Sequence, residues 1–131
     1  MQRQQSRKAR VAIVGIGAVS PLGLDVEETA EALREARDCI TPVAQFSVEQ
    51  CRCKTAGQVA DEQLRARLPR AARAERQHRA AQMVTVALAE ALKQAPRFVP
   101  QLTVVGTTSG GMSFGEKYYR AVCARTRSRH T

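Results

Sequence analysis

Residues 10–23 read RVAIVGIGAVSPLG, and the order of residue types in this stretch decides the fold class. Val11, Ala12, Ile13 and Val14 form an unbroken, largely β-branched apolar run. A half-solvated strand alternates apolar with polar residues. A continuous run is the pattern of a strand covered on both faces, as in parallel sheets flanked by helices. Gly15 and Gly17 let the backbone leave the strand tightly, and Pro21 and Gly23 mark a turn. Asp25 then stands as an N-cap, with Glu28 three residues on in the place of a capping-box acid. Strand, glycine turn and capped helix in this order predict an α/β beginning.

The helix expected over 25–37 carries Val26, Ala30 and Leu33 on one face. Its first turn holds Glu27 and Glu28 and its last Arg34 and Arg37, which complements the helix dipole. Residues 38–61 read as loop with one short strand within 55–59. The basic segment 64–79 is broken at Pro69, with room for a single helical turn before the proline. The longest helix is expected over 74–95, where Ala80, Ala81, Val84, Ala87, Leu88, Ala91, Leu92 and Ala95 recur at three- and four-residue spacing and Pro96 stops the run. Its alanine stripe predicts close packing onto a neighbour. Residues 102–105 read as a second buried strand, and a last helix would carry Phe114 and Tyr118 on one face. Residues 1–9 form a basic flexible arm and 125–131 a basic unstructured tail, leaving 10–124 as the folded part.

At 131 residues there is room for one modest domain. The hydrophobic fraction of 44% is that of a globular chain, but aromatics make up only 4%, so Ala, Leu and Val must do most of the packing. A net charge of +9 admits anionic partners in general. No finger, basic zipper or aromatic RNA-binding motif accompanies it, which argues against nucleic acid. Cys51 and Cys53 make a C-x-C pair, and His78 is the only histidine near them. That is not a four-ligand set, so neither a metal nor another cofactor is expected. The basic start followed by VAIVGIGAV superficially resembles a signal peptide, but the apolar part is short and passes directly into a capped helix. No run approaches a membrane span, and a cytoplasmic protein is expected.

Two motifs invite catalytic or cofactor readings. Gly15-x-Gly17 follows an expected strand, yet the third glycine of a dinucleotide fingerprint is replaced by Ser20, with Pro21 next. No acid closes a second strand about 20 residues on. Ser109 lies in T-T-S-G-G, which lacks the first glycine of a nucleophile elbow. His78 reads as an exposed helix-start residue rather than a base.

The two elements taken together carry a resemblance. V-A-I-V-G-I-G-A-V-S-P-L-G, a helix, a T-A-G-Q-V segment, a long alanine-rich helix and then T-V-V-G-T-T-S-G-G-M resemble the start of a β-ketoacyl synthase, over residues 10–121. The resemblance implies the N-terminal portion of a thiolase-like fold, which in the complete enzyme is a layered α-β-α-β-α arrangement, usually a homodimer. Residues 10–15 would be its first core strand and 102–106 its second. It also implies decarboxylative Claisen condensation of acyl and malonyl thioesters, in fatty acid or polyketide synthesis, with acyl carrier protein as partner.

In the family a cysteine accepts the acyl chain and two histidines assist the attack. Their motifs (T-A-C-S/A, H-G-T-x-T and N-x-x-F-G-F-G-G-x-N) do not occur here. Cys123 falls on the last expected helix, while Cys39, Cys51 and Cys53 precede the second strand, so no catalytic residue is assigned. The expected reading is an N-terminal synthase fragment that does not condense alone. The alternatives are a non-catalytic accessory or carrier-binding subunit, which pairs with a complete synthase, and a small nucleotide-binding protein resting on Gly15 and Gly17. By resemblance, Ser109 would line the acyl channel, and Arg65, Arg67, Arg70, Arg73, Arg76 and Arg79 would face the acidic carrier protein.

Overall fold

In the computed structural model, which describes residues 10–73, 77–108 and 110–124, five helices and two short strands follow one another. They are α1 (Val26–Arg34), β1 (Ile40–Pro42), β2 (Thr55–Gly57), α2 (Asp61–Arg67), α3 (Arg70–Arg73), α4 (Arg79–Gln94) and α5 (Met112–Cys123). The arm 1–9 and the tail 125–131 lie outside the described residues.

The first helix starts where its cap chemistry says it should. The Asp25 carboxylate accepts from Glu28 N at 2.8 Å, and the Glu28 carboxylate reaches back to Leu24 N at 2.7 Å. The box is therefore closed one residue earlier than in the usual reciprocal pair. The helix ends at Arg34, short of 37, because the chain turns through Ala36 at φ 50°. Arg37 N bonds Ala32 O at 2.9 Å and Ala36 N bonds Leu33 O at 3.1 Å, which is the Schellman pattern with alanine in the glycine position.

β1 and β2 pair antiparallel, with Ile40 opposite Gly57 and Pro42 opposite Thr55. The strand expected within 55–59 is β2; its partner β1 falls where loop was expected. The segment before Pro69 forms two turns of α2 rather than one, and α3 resumes directly after the proline. The longest helix begins at Arg79, with residues 77 and 78 outside it and 74–76 outside the described residues. Its C-cap is Ala95, next to Pro96.

The core is small. Leu24, Val59, Leu64, Leu68 and Val86 are buried together, with Val19, Ala72 and Met83 packed against them. It lies between α2 and α4, under the loop that leads into α1. The two expected core strands are corrected here: neither 10–15 nor 102–106 is hydrogen-bonded into a ladder among the described residues. Val11 is 92% and Val104 84% exposed. Strand hydrogen bonds lie between segments, so an apolar β-branched run becomes a strand only when a neighbour is in place.

Candidate functional site

Gly15 and Gly17 do their work against α4. A Cβ on Gly15 would collide with the Ala91 carbonyl, and one on Gly17 with the Ala87 carbonyl. The alanine stripe of α4 thus meets a glycine stripe, and the two backbones come together where any larger pair would hold them apart. Two polar side chains of α4 flank this contact. Glu90 Oε2 accepts from Ala18 N at 2.9 Å, and its Oε1 accepts from Val26 N at 2.9 Å. The Gln94 side-chain amide pairs with both backbone groups of Ile16: its Oε1 accepts from Ile16 N at 3.2 Å and its Nε2 donates to Ile16 O at 2.7 Å. Glu90 therefore ties the loop to the first turn of α1, where it satisfies one of the amides left over at a helix N-terminus and places negative charge at the positive end of the dipole.

The turn that follows is closed on itself. Ser20 and Gly23 exchange backbone bonds at 2.8 and 3.2 Å, Ser20 Oγ accepts from Leu22 N at 3.1 Å, and it lies 3.3 Å from the Thr29 hydroxyl. A cleft of about 380 Å³ opens beside it, lined by Pro21, Leu22, Glu28, Gln58, Gln63 and Arg67 among others. A second, more apolar hollow of about 350 Å³ shares Pro21 and Gln58 and runs between Phe46, Met83 and Arg79.

The dinucleotide alternative fails on this geometry. A phosphate needs free amides and positive potential at a helix start. Here Ile16 N, Ala18 N, Val26 N and Glu28 N are bonded to protein oxygens, and three carboxylates, Asp25, Glu28 and Glu90, surround them. An anion would meet repulsion and no available donor among these four.

The arginines of the basic segment divide into two sets. Arg67 pairs with Asp25 at 3.2 Å and also with Glu28, joining α2 to the start of α1. Arg73 donates to Leu68 O at 2.8 Å and Ala66 O at 2.6 Å, satisfying carbonyls at the end of α2. Arg79 pairs with Asp61 and donates to Val59 O, fastening α4 to the start of α2. Among the described residues only Arg65 and Arg70 of the set are exposed with no ion pair or side-chain hydrogen bond. Arg76 and Ser109 lie outside the described residues.

His78 caps α4, its Nδ1 accepting from Ala80 N at 3.2 Å. It is half-buried, not exposed as expected, because its ring stands edge-on to Phe114 with centroids 5.0 Å apart. Cys39 is half-buried, and Cys51, Cys53 and Cys123 are exposed free thiols. Among the described residues no group of three His, Cys, Asp or Glu side chains could hold a metal ion, and no helix is long and apolar enough to cross a membrane. Through Glu90 and Gln94 the site positions backbone.

Sequence reasoning overlooked Glu90 and Gln94. Their signal was available: two polar residues four apart, each beside an alanine of the stripe, on a helix face expected to pack.

Residues 8–129 match the family model described as "Beta-ketoacyl synthase, N-terminal domain". The chain is 28% identical over 111 residues to the 3-oxoacyl-[acyl-carrier-protein] synthase 2 of Synechocystis sp., an alignment that takes in 80% of this chain and 26% of that protein. The chain thus spans about a quarter of the length of this curated relative.

Proposed function

Because this chain belongs to the β-ketoacyl synthase family through its N-terminal domain, we propose that it supplies the N-terminal part of a condensing enzyme. That enzyme would join acyl and malonyl thioesters of acyl carrier protein by decarboxylative Claisen condensation, in fatty acid or polyketide synthesis in the cytoplasm. The reaction requires a thiolate to take the acyl chain and imidazoles to handle protons. The observation that carries the reading is the glycine loop seated on α4, with Glu90 and Gln94 of that helix bonded to the loop backbone.

On this reading the chain alone does not condense. Purified chain is incubated with acyl and malonyl thioesters of carrier protein, and ketoacyl product is measured. None is expected. Turnover that persists after all four cysteines are replaced would overturn the thiolate mechanism for this chain, and turnover that needs Cys123 would make that residue the nucleophile.

Among the described arginines of the set, Arg65 and Arg70 carry the carrier-docking reading, since Arg67, Arg73 and Arg79 are engaged within the fold. Charge reversal at both, in an intact enzyme, should slow transfer from carrier protein and spare small thioesters, an effect that weakens in salt. Equal loss for both substrates would remove these residues from the docking surface. A second reading, a non-catalytic accessory subunit that pairs with a complete synthase, is favoured by the exposure of Val11, Ile13, Leu102 and Val104, which a partner would cover. Co-purification with a complete synthase in fixed ratio supports it; absence of any complex removes it. The homodimer common in the family belongs to the first reading.

A further inference from the structure

The net charge of +9 is unevenly spread along the chain. Residues 11–90 carry ten Lys and Arg against eleven Asp and Glu, so the excess lies in the two ends. Residues 91–131 hold seven cations and a single acid, Glu116. Helix α5 stands inside this basic stretch, and Arg125, Arg127 and Arg129 follow it in the sequence.

The residue order of α5 sorts charged from apolar around its circumference. At about 100° per residue, Glu116, Lys117 and Arg120 share one side. Phe114, Tyr118, Val122, Tyr119 and Met112 spread over the other, an uncharged arc of about 200° between Ala121 and Cys123. In a folded domain such an arc is covered. Here Tyr118 is 60%, Tyr119 68%, Val122 54% and Met112 67% exposed. Phe114 meets the ring of His78 edge-on, which ties the start of the helix to the cap of α4 and leaves its later turns bare. The pair between Arg120 and Glu116 at 2.5 Å lies on the charged side and stays within the helix.

What covers the arc has to suit both its width and the charge beside it. A helix in a protein groove buries a stripe of i, i+3, i+4 and i+7 anchors, whereas an arc of about 200° asks its partner to wrap past half the circumference. A second copy would bring another net charge of +9 against the first. A bilayer surface meets both conditions. Its fluid acyl region yields to any arc, its anionic headgroups attract the cations, and tyrosine rings settle at the boundary with their hydroxyls in water.

We propose that α5 is an interfacial helix that lies along an anionic bilayer surface. Tyr118, Tyr119 and Val122 enter the boundary between headgroups and acyl chains, and Lys117 and Arg120 face lipid phosphates. The helix binds the surface without crossing it, since 12 residues rise about 18 Å against a hydrocarbon core of about 30 Å. This binding needs none of the condensation chemistry.

The chain has two tyrosines and no tryptophan. Both tyrosines lie on the arc, so tyrosine emission reports on α5 alone. The full chain is mixed with vesicles of phosphatidylcholine, or of phosphatidylcholine and phosphatidylglycerol in equal parts. Flotation measures binding, and acrylamide quenching measures access to the tyrosines. Binding to the anionic vesicles with several-fold weaker quenching is expected, and it should decline as salt rises. Lys117→Gln should weaken binding about fivefold, and Val122→Asp, at an exposed position, about tenfold or more. Circular dichroism checks that Val122→Asp keeps the parent helix content, and the quenching of the unaltered chain stands without any variant. Tyrosines equally quenchable on anionic vesicles would overturn the proposal, as would binding that Val122→Asp leaves unchanged, because the basic ends would then hold the surface without the helix. Tyrosines shielded by an acidic carrier protein but by neither vesicle would assign α5 to a protein partner and overturn it too.

Discussion

Replacing Glu90 with alanine isolates the contact on which the glycine loop depends. The carboxylate accepts two backbone bonds of 2.9 Å, from Ala18 and Val26, and no other side chain is bonded to these amides among the described residues. A hydrogen bond to a charged group contributes about 1.5–3 kcal/mol. Two such bonds set an upper range of about 3–6 kcal/mol, but both sites are only part-buried, so water recovers some of it. A loss of about 2–4 kcal/mol follows. Against a typical margin of roughly 5–15 kcal/mol, that is a large fraction of a small domain's stability. The direct assay is amide hydrogen exchange read at Ala18 and Val26, where protection should fall by about 30- to 1,000-fold. Glu90→Gln should fall between, because one amide oxygen can accept a single N–H while its NH2 faces the other donor. Unchanged exchange at both amides in Glu90→Ala would refute the clip and leave the loop held by packing alone.

Three further outcomes follow from the same geometry. Gly17→Ala drives a methyl into the Ala87 carbonyl, where two backbones would have to part; a loss of about 1–3 kcal/mol is expected in urea unfolding, and a silent substitution would mean the loop does not rest on α4. Ala36→Gly relieves a left-handed alanine at the end of α1 and should raise stability by about 1 kcal/mol, read as an upward shift of the unfolding midpoint; a decrease would contradict the observed turn. Arg67→Ala removes exposed pairs with Asp25 and Glu28, so its cost at low salt should stay within about 1 kcal/mol and shrink as salt is added; a large, salt-independent loss would show that packing of the side chain, not its charge, matters there.

The basic segment shows how composition misleads when charges are not yet placed. Read along the chain, residues 64–79 look like a cationic surface awaiting an anion. In the fold, Arg67 and Arg79 pair with Asp25, Glu28 and Asp61, and Arg73 donates to the carbonyls that end α2. The acids that pair with Arg67 lie 42 and 39 residues away, so no local window could match them. The positive charge left at the surface there is correspondingly smaller than the sequence alone suggests.

Local chemistry by itself determined several things about this protein. Asp25 and Glu28 announced α1, Pro96 ended α4, Phe114 and Tyr118 marked α5, and two glycine motifs at their spacing pointed to the family. Each depends on dihedral preference, capping or periodicity, which act within a few residues. Only the tertiary structure decided what Gly15 and Gly17 are for, which of the arginines remain at the surface, and that Glu90 and Gln94 hold the loop. It also decided that 10–15 and 102–106, whose apolar β-branched runs read as strands, stand outside any ladder among the described residues. The reason is that backbone amides and carboxylates are indifferent to sequence distance. Which donor meets which acceptor is settled by the approach of segments 64 to 78 residues apart, and no residue carries that information alone.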